Sequence, residues 1–252
     1  MPFVFVVRTH GGLGNQLFQI FYAILLRNRN SQARLTVIHD SNYSHRFELD
    51  RNLENAYSSG LGSIPYVISN VRIPKIASRL LGREISFFKL MNYHFLDGYF
   101  QDVSRYRNFS ETEISAAITE LKKYLVPDLD KCERNAVLHH FRLLDFFNSE
   151  DEELEYIKIQ FSNLPQSASI MSNNDKLFNR PDIKRYLNDK KINHIETEGL
   201  ASIDVLSLMM RYGTIHSNNS TLAFWAAIFN RCELSIGDDV LSSLYMMLNK
   251  NN

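Results

Sequence analysis

An apolar strand, a glycine turn and an apolar helix follow one another at the start of this chain, and that order restricts the folds open to it. Phe3 to Val7 is a continuous run of valine and phenylalanine, which reads as a short buried strand. His10-Gly11-Gly12-Leu13-Gly14-Asn15-Gln16 follows as a tight turn. Leu17 to Leu26 is apolar nearly all round, as suits a helix packed inside a domain. Leu35-Thr36-Val37-Ile38 reads as the next strand and ends at His39-Asp40. A β–turn–α–β order opens a doubly wound α/β sheet.

A second α/β stretch begins after the middle of the chain. Ser110 to Leu125 has helical spacing, with Ser110 and Glu113 in capping-box form, and Pro127-Asp128 ends it. Ala136 to Phe141 reads as a strand with Arg142 at its carboxyl end, and Glu150 to Ile159 as a charged helix. Ala168 to Met171 is a short strand before the polar turn Ser172-Asn173-Asn174-Asp175. Ser202 to Arg211 reads as a helix closed by Gly213 as its C′ residue. Thr214-Ile215-His216 is a strand, and Ser217 to Thr221 turns the chain into an apolar helix from Leu222 to Phe229. Between these halves Ser58 to Pro65 reads as a loop, and Arg72 to Asn92 has no clean period. The boundary is expected near Val126 to Cys132, giving α/β domains of residues 1–130 and 131–252.

Composition narrows the partners. The 252 residues are 44% hydrophobic, enough for ordinary cores. Twenty-eight basic and 28 acidic side chains cancel, which argues against a nucleic-acid partner. Cys132 and Cys232 have neither CxxC spacing nor a disulfide framework, which favours a reducing compartment. Runs such as Leu222 to Phe229 are far shorter than the roughly 20 residues of a membrane span. The apolar start breaks at Arg8 without a basic leader, so no signal peptide is expected. A cytoplasmic protein follows as the expectation.

Three segments carry chemistry. Glycines between a strand and a helix let backbone N–H groups approach a phosphate, and Asn15 and Gln16 add amide donors to Gly12 and Gly14. An NAD-type oxidoreductase competes, since Gly12-Leu13-Gly14 matches GxG and Asp40 ends the second strand. Leu17 at the third glycine position argues against it, and no Gly-Lys-Ser/Thr follows to make a P-loop. The second segment is His140-Phe141-Arg142-Leu143-Leu144-Asp145, where a guanidinium at a strand end can pair with phosphate oxygens; an ordinary strand-end salt bridge explains it equally well. The third is Ser217-Asn218-Asn219-Ser220-Thr221, a longer run of hydrogen-bonding side chains than an N-cap needs. Asp128-Leu129-Asp130 reads as a turn and not a metal site. His139 and His140 alternate sides of a strand and cannot easily share one metal. Glu150 to Glu155 reads as a solvated helix start, and Trp225 as core.

In order, these motifs resemble the α-1,2-fucosyltransferase family, glycosyltransferase family 11. Gly12-Leu13-Gly14-Asn15-Gln16-Leu17-Phe18-Gln19 is similar to its N-terminal signature, and Gly98-Tyr99-Phe100-Gln101-Asp102 to its GYxQ segment. Ser172 to Asp175 resembles its SDD-type turn, Asp204 with Leu208-Met209 its DLxLM helix, and Asn219 to Trp225 its NSTFSWW element. The HxRRGD signature is matched in part: Arg142 stands at the first arginine, while Leu143 and Leu144 replace the second arginine and the glycine.

The resemblance implies an α/β, GT-B-like fold of two Rossmann-type domains with parallel sheets, GDP-fucose as donor, inversion at the anomeric carbon and no metal or other cofactor. The N-terminal domain then serves the acceptor side and the C-terminal domain the GDP-sugar. Arg142 is expected to neutralise the leaving diphosphate, with Asp145 or His10 as the base. Donor contacts are expected from Gly12, Gly14, Asn15, His140, Ser172, Asp175, Asn219, Ser220 and Thr221. The implied reaction moves L-fucose, or a related 6-deoxy sugar, to a glycan or lipid-linked oligosaccharide in surface polysaccharide or O-antigen synthesis, near the inner membrane face. The leucines keep a second expectation open: a homologue that binds nucleotide sugar or glycan without transfer.

Overall fold

The computed structural model of the chain describes residues 4–30, 32–40, 66–69, 85–90, 93–125, 133–144, 146–166 and 168–250. Two compact units divide it. One comprises Met1–Asp128 with Ala201–Ile203 and Ser243–Asn252; the other comprises Leu129–Leu200 and Asp204–Ser242. The segment 126–132, where the sequence places the boundary, lies outside the described residues, as do Asp128, Asp130, Cys132 and Asp145. So does the loop read at Ser58 to Pro65.

The first unit is built on a five-stranded sheet ordered β3-β2-β1-β5-β4. Its strands are β1 (Val4–Thr9), β2 (Arg34–Asp40), β3 (Tyr66–Ser69), β4 (Ile85–Leu90) and β5 (Tyr93–Asp97). Helix α1 (Leu13–Arg29) connects β1 to β2, and α2 (Glu111–Leu125) packs beside α1. The apolar character of α1 is explained by its surroundings: Leu17, Phe18, Phe21, Ala23, Ile24 and Leu25 are all fully buried, against a sheet that contributes Val7, Leu35, Val37 and Leu96. Each such leucine, isoleucine, valine or phenylalanine contributes roughly 1.5–3 kcal/mol by leaving water. The predicted capping box forms at α2, where Glu113 Oε2 accepts from Ser110 N–H at 2.7 Å and Ser110 Oγ accepts from Glu113 N–H at 3.3 Å. Two expectations are corrected here. The sheet is not wholly parallel, because β4 pairs antiparallel with β5. The aperiodic stretch from Arg72 to Asn92 contains that edge strand, whose mixed apolar and basic residues hid it from a periodicity test.

The second unit has a wholly parallel sheet ordered β10-β9-β6-β7-β8. From there the chain runs β6 (Glu133–Phe141), α3 (Glu150–Ser162), β7 (Ser169–Ser172), α4 (Asp175–Phe178), α5 (Pro181–Asp189), β8 (Asn193–Ile195), α6 (Ser202–Met209), β9 (Tyr212–Ser217), α7 (Thr221–Asn230), β10 (Glu233–Ile236) and α8 (Asp239–Asn249), of which Ser202 and Ile203 of α6 and Ser243–Asn249 of α8 belong to the first unit. Counted within the unit this is the doubly wound order, and its topological switch point lies between β6 and β9, whose chains depart to opposite sides. Phe141, Leu154, Ile157, Phe161, Ile170 and Phe178 form a core on one face of the sheet. Trp225 is fully buried, as expected of a core residue. Gly213 is not a helix C′ residue: it lies inside β9 and does not take a positive φ. The two-unit α/β class predicted from the sequence is the observed one.

Candidate active site

Open α/β sheets bind ligands outside the carboxyl ends of their strands at the switch point. In the second unit β6 and β9 end there together. The β6–β9 ladder closes at His140 opposite Ser217. One residue further on, the Asn218 side chain takes over: its Oδ1 accepts from Arg142 N–H at 2.9 Å and its Nδ2 donates to the Arg142 carbonyl at 2.7 Å. The amide therefore mimics a strand residue and pins the Arg142 backbone. Arg142 Nη1 donates to the Asn219 carbonyl at 3.1 Å, and its guanidinium carbon lies 4.9 Å from the centre of the Phe146 ring.

Around this arginine the sequence-predicted residues take different places. Ser220 is the N-cap of α7, its Oγ accepting from Ala223 N–H at 3.2 Å, so it holds the helix end at the crevice. Asn219 and Thr221 flank it, half-buried. Ser217 donates or accepts at His140 Nδ1 over 3.2 Å, and its carbonyl receives Gly237 N–H at 3.0 Å. Gly237 is required there, since a Cβ would lie 2.7 Å from the Asn218 carbonyl oxygen. His140 is buried near the carboxyl end of the central strand β6. Burial first, and the Arg142 charge second, push its pKa from 6.5 down to about 4, so it is neutral at pH 7.

The turn Ser172–Asp175 has its polar groups engaged within the protein. Asn173 Oδ1 accepts from Leu143 N–H at 2.7 Å, which steadies the loop after β6. Asn174 Nδ2 donates to Glu153 at 2.6 Å, and Ser172 Oγ accepts from Asn174 N–H at 3.0 Å. Glu153 is thus a buried brace, a correction to the reading of the whole Glu150–Glu155 run as solvated. Asp175, also buried, is held by His194 Nε2 at 2.9 Å and by Thr197 N–H at 2.7 Å. This turn braces the site from beneath.

The first unit gathers a second cluster at the carboxyl ends of β1 and β5. Arg8 Nη1 donates to Asp97 Oδ2 at 2.9 Å, both side chains being buried. His10 follows, its ring 4.8 Å from that of Tyr99 and its Nδ1 3.9 Å from Asp97 Oδ1. Gln19 Oε1 accepts from His10 N–H at 2.9 Å, which fixes the amide so that its Nε2 faces His10 Nδ1 at 3.3 Å. The same Nε2 also donates to the His10 carbonyl at 3.3 Å. Gln101 Nε2 donates to Asn15 Oδ1 at 3.0 Å, so the Asn15 and Gln101 motifs meet here. Gly11 needs its glycine, with φ +80° and a Cβ position 3.0 Å from Asn15 Nδ2; Gly12 adjoins open space. Gly14 is buried in the first turn of α1. Arg8, Gln19 and Asp97 were missed by the sequence reading; the available signal was two glutamines, Gln16 and Gln19, in an otherwise apolar helix.

Among the described residues no group of three or more His, Cys, Asp and Glu is placed to hold a metal ion. Among them too, no helix is long and apolar enough to cross a membrane. His139 and His140 face opposite ways; His139 stacks on His216 with ring centres 4.7 Å apart.

No family model matches the chain, and no curated protein matches it. Among solved structures it is similar to a glycosyl transferase family 9 protein from Veillonella parvula DSM 2008, at 10% identity over 92% of this chain and 79% of that one, with a TM-score of 0.45. It is similar to POFUT1 in complex with GDP, at 10% identity over 93% and 98% of the two chains, TM-score 0.44. A third is Escherichia coli heptosyltransferase WaaC with ADP-2-deoxy-2-fluoro heptose, at 8% identity over 99% and 100%, TM-score 0.40. At about one identical residue in ten, the likeness is one of fold.

Proposed function

We propose that the chain is a metal-independent, inverting glycosyltransferase that moves L-fucose, or a related 6-deoxy sugar, from a GDP-sugar to a glycan hydroxyl. One observation carries this reading: Arg142 is held by Asn218 and Asn219 at the switch point of the second unit, beside the capped N-terminus of α7. A fixed guanidinium and a helix N-terminus together suit a diphosphate. The family resemblance of the sequence supplies the sugar and nucleotide. In the reaction an acceptor hydroxyl oxygen attacks C1 of the β-linked fucose, the C1–O bond to the diphosphate breaks, and the hydroxyl proton passes to a base, with Asp145 and His10 as the candidates. The charge that develops on the leaving β-phosphate is met by Arg142, and the product is α-linked. The acceptor is a glycan, free or lipid-linked, and the linkage α-1,2.

Arg142→Ala tests the reading. A charged hydrogen bond to phosphate contributes roughly 1.5–3 kcal/mol, so GDP affinity by calorimetry falls by about ten- to a hundredfold. Affinity retained within a few-fold overturns the assignment. A second reading is binding without transfer. Leu143, fully buried, and Leu144, on the surface, stand where the family signature has an arginine and a glycine, which favours it. Slow hydrolysis of the GDP-sugar in the absence of acceptor separates the two, since only a transferase cleaves the donor.

A further inference from the structure

Phe146 is 42% exposed, in a turn closed by its own N–H donating to the Leu143 carbonyl at 2.7 Å. Its ring centre lies 4.9 Å from the Arg142 guanidinium carbon, within cation–π range. Arg142 is already held at its backbone by Asn218 and at one guanidinium edge by Asn219. The ring adds a third contact, made by neither Asn218 nor Asn219. An arginine so restrained loses less rotamer freedom when phosphate arrives. We infer that Phe146 is a positioning residue for Arg142, and that its aromatic ring presets the guanidinium for the diphosphate of the donor. The inference rests on the donor-site reading above.

GDP binding to the full chain by calorimetry, with the melting temperature of the free protein as control, tests it. Phe146→Leu is expected to weaken GDP about three- to tenfold with the melting temperature unchanged. Phe146→Tyr, which keeps the ring, restores wild-type affinity. In an Arg142→Ala background, Phe146→Leu has no further effect. Wild-type affinity in Phe146→Leu beside a weakened Arg142→Ala overturns this inference alone, as does an equal loss in both backgrounds. Wild-type affinity in Arg142→Ala overturns both this inference and the donor-site reading.

Discussion

Asn218 shows how one side chain extends a sheet. Both of its amide groups are engaged with the Arg142 backbone, so Asn218→Leu removes two hydrogen bonds and leaves two backbone groups to find water. At roughly 1 kcal/mol per bond, a loss of about 2 kcal/mol is expected, together with weaker GDP binding. Asn218→Asp retains the acceptor and should lose about half as much, an order that urea denaturation can check. The two histidines that end β6 act on pH dependence. His139 is lowered to about 4 by burial and then by His216, and His140 to about 4 by burial and then by Arg142. The folded form stays neutral where the unfolded chain, near 6.5, takes protons. Stability is therefore full above about pH 6.5 and falls as acid is added down to about pH 4. For the fully buried His140 the span is on the order of 3 kcal/mol. Urea midpoints at pH 7.5, 6 and 5 should fall in that order, and His140→Gln should flatten the decline; a level profile would contradict the burial argument.

At the scale of elements, the end of α7 separates folding from ligand. Ser220→Ala removes the N-cap and should destabilise by about 1 kcal/mol. Ser220→Asp keeps an acceptor for Ala223 N–H but brings a negative charge to the place proposed for phosphate. It should hold the melting temperature and weaken GDP; unchanged GDP affinity would put the phosphate elsewhere. Elements with strong local patterns could be read from the sequence alone. The apolar runs of β1, α1, β6 and α7, and the Ser110–Glu113 box, are set by neighbours within a few positions. So was the presence of Arg142 at a strand end. What could not be read is set by distance along the chain. Arg8 meets Asp97 across 89 positions and Arg142 meets Asn218 across 76. No local pattern announces such partners. Asp175 has partners of the same kind, His194 and Thr197, 19 and 22 positions further on. Gly213 misled because a glycine after a helix also fits a strand that begins at once.

The whole molecule offers one reporter for the assignment of the donor to the second unit. The sequence contains one tryptophan, and Trp225 lies fully buried in α7, four residues after Thr221. Its fluorescence follows the unfolding of the second unit, while far-UV circular dichroism averages both. A ligand that binds only the folded form stabilises by RT ln(1 + [L]/Kd), about 2.7 kcal/mol at a hundred times Kd. If the diphosphate binds at Arg142, saturating GDP should raise the fluorescence melting point by several degrees, at about 2–4 °C per kcal/mol for a chain of this size. Arg142→Ala should remove most of the shift. EDTA should leave it unchanged, because the proposed site relies on a guanidinium and helix N–H groups. A GDP shift seen by dichroism but absent from Trp225 would move the nucleotide to the first unit, where Arg8, His10 and the glycine turn lie at the end of β1. A shift that needs a divalent cation would replace the metal-independent mechanism. Of these outcomes, the fluorescence shift with its loss in Arg142→Ala is the one that follows from the geometry at the end of β6.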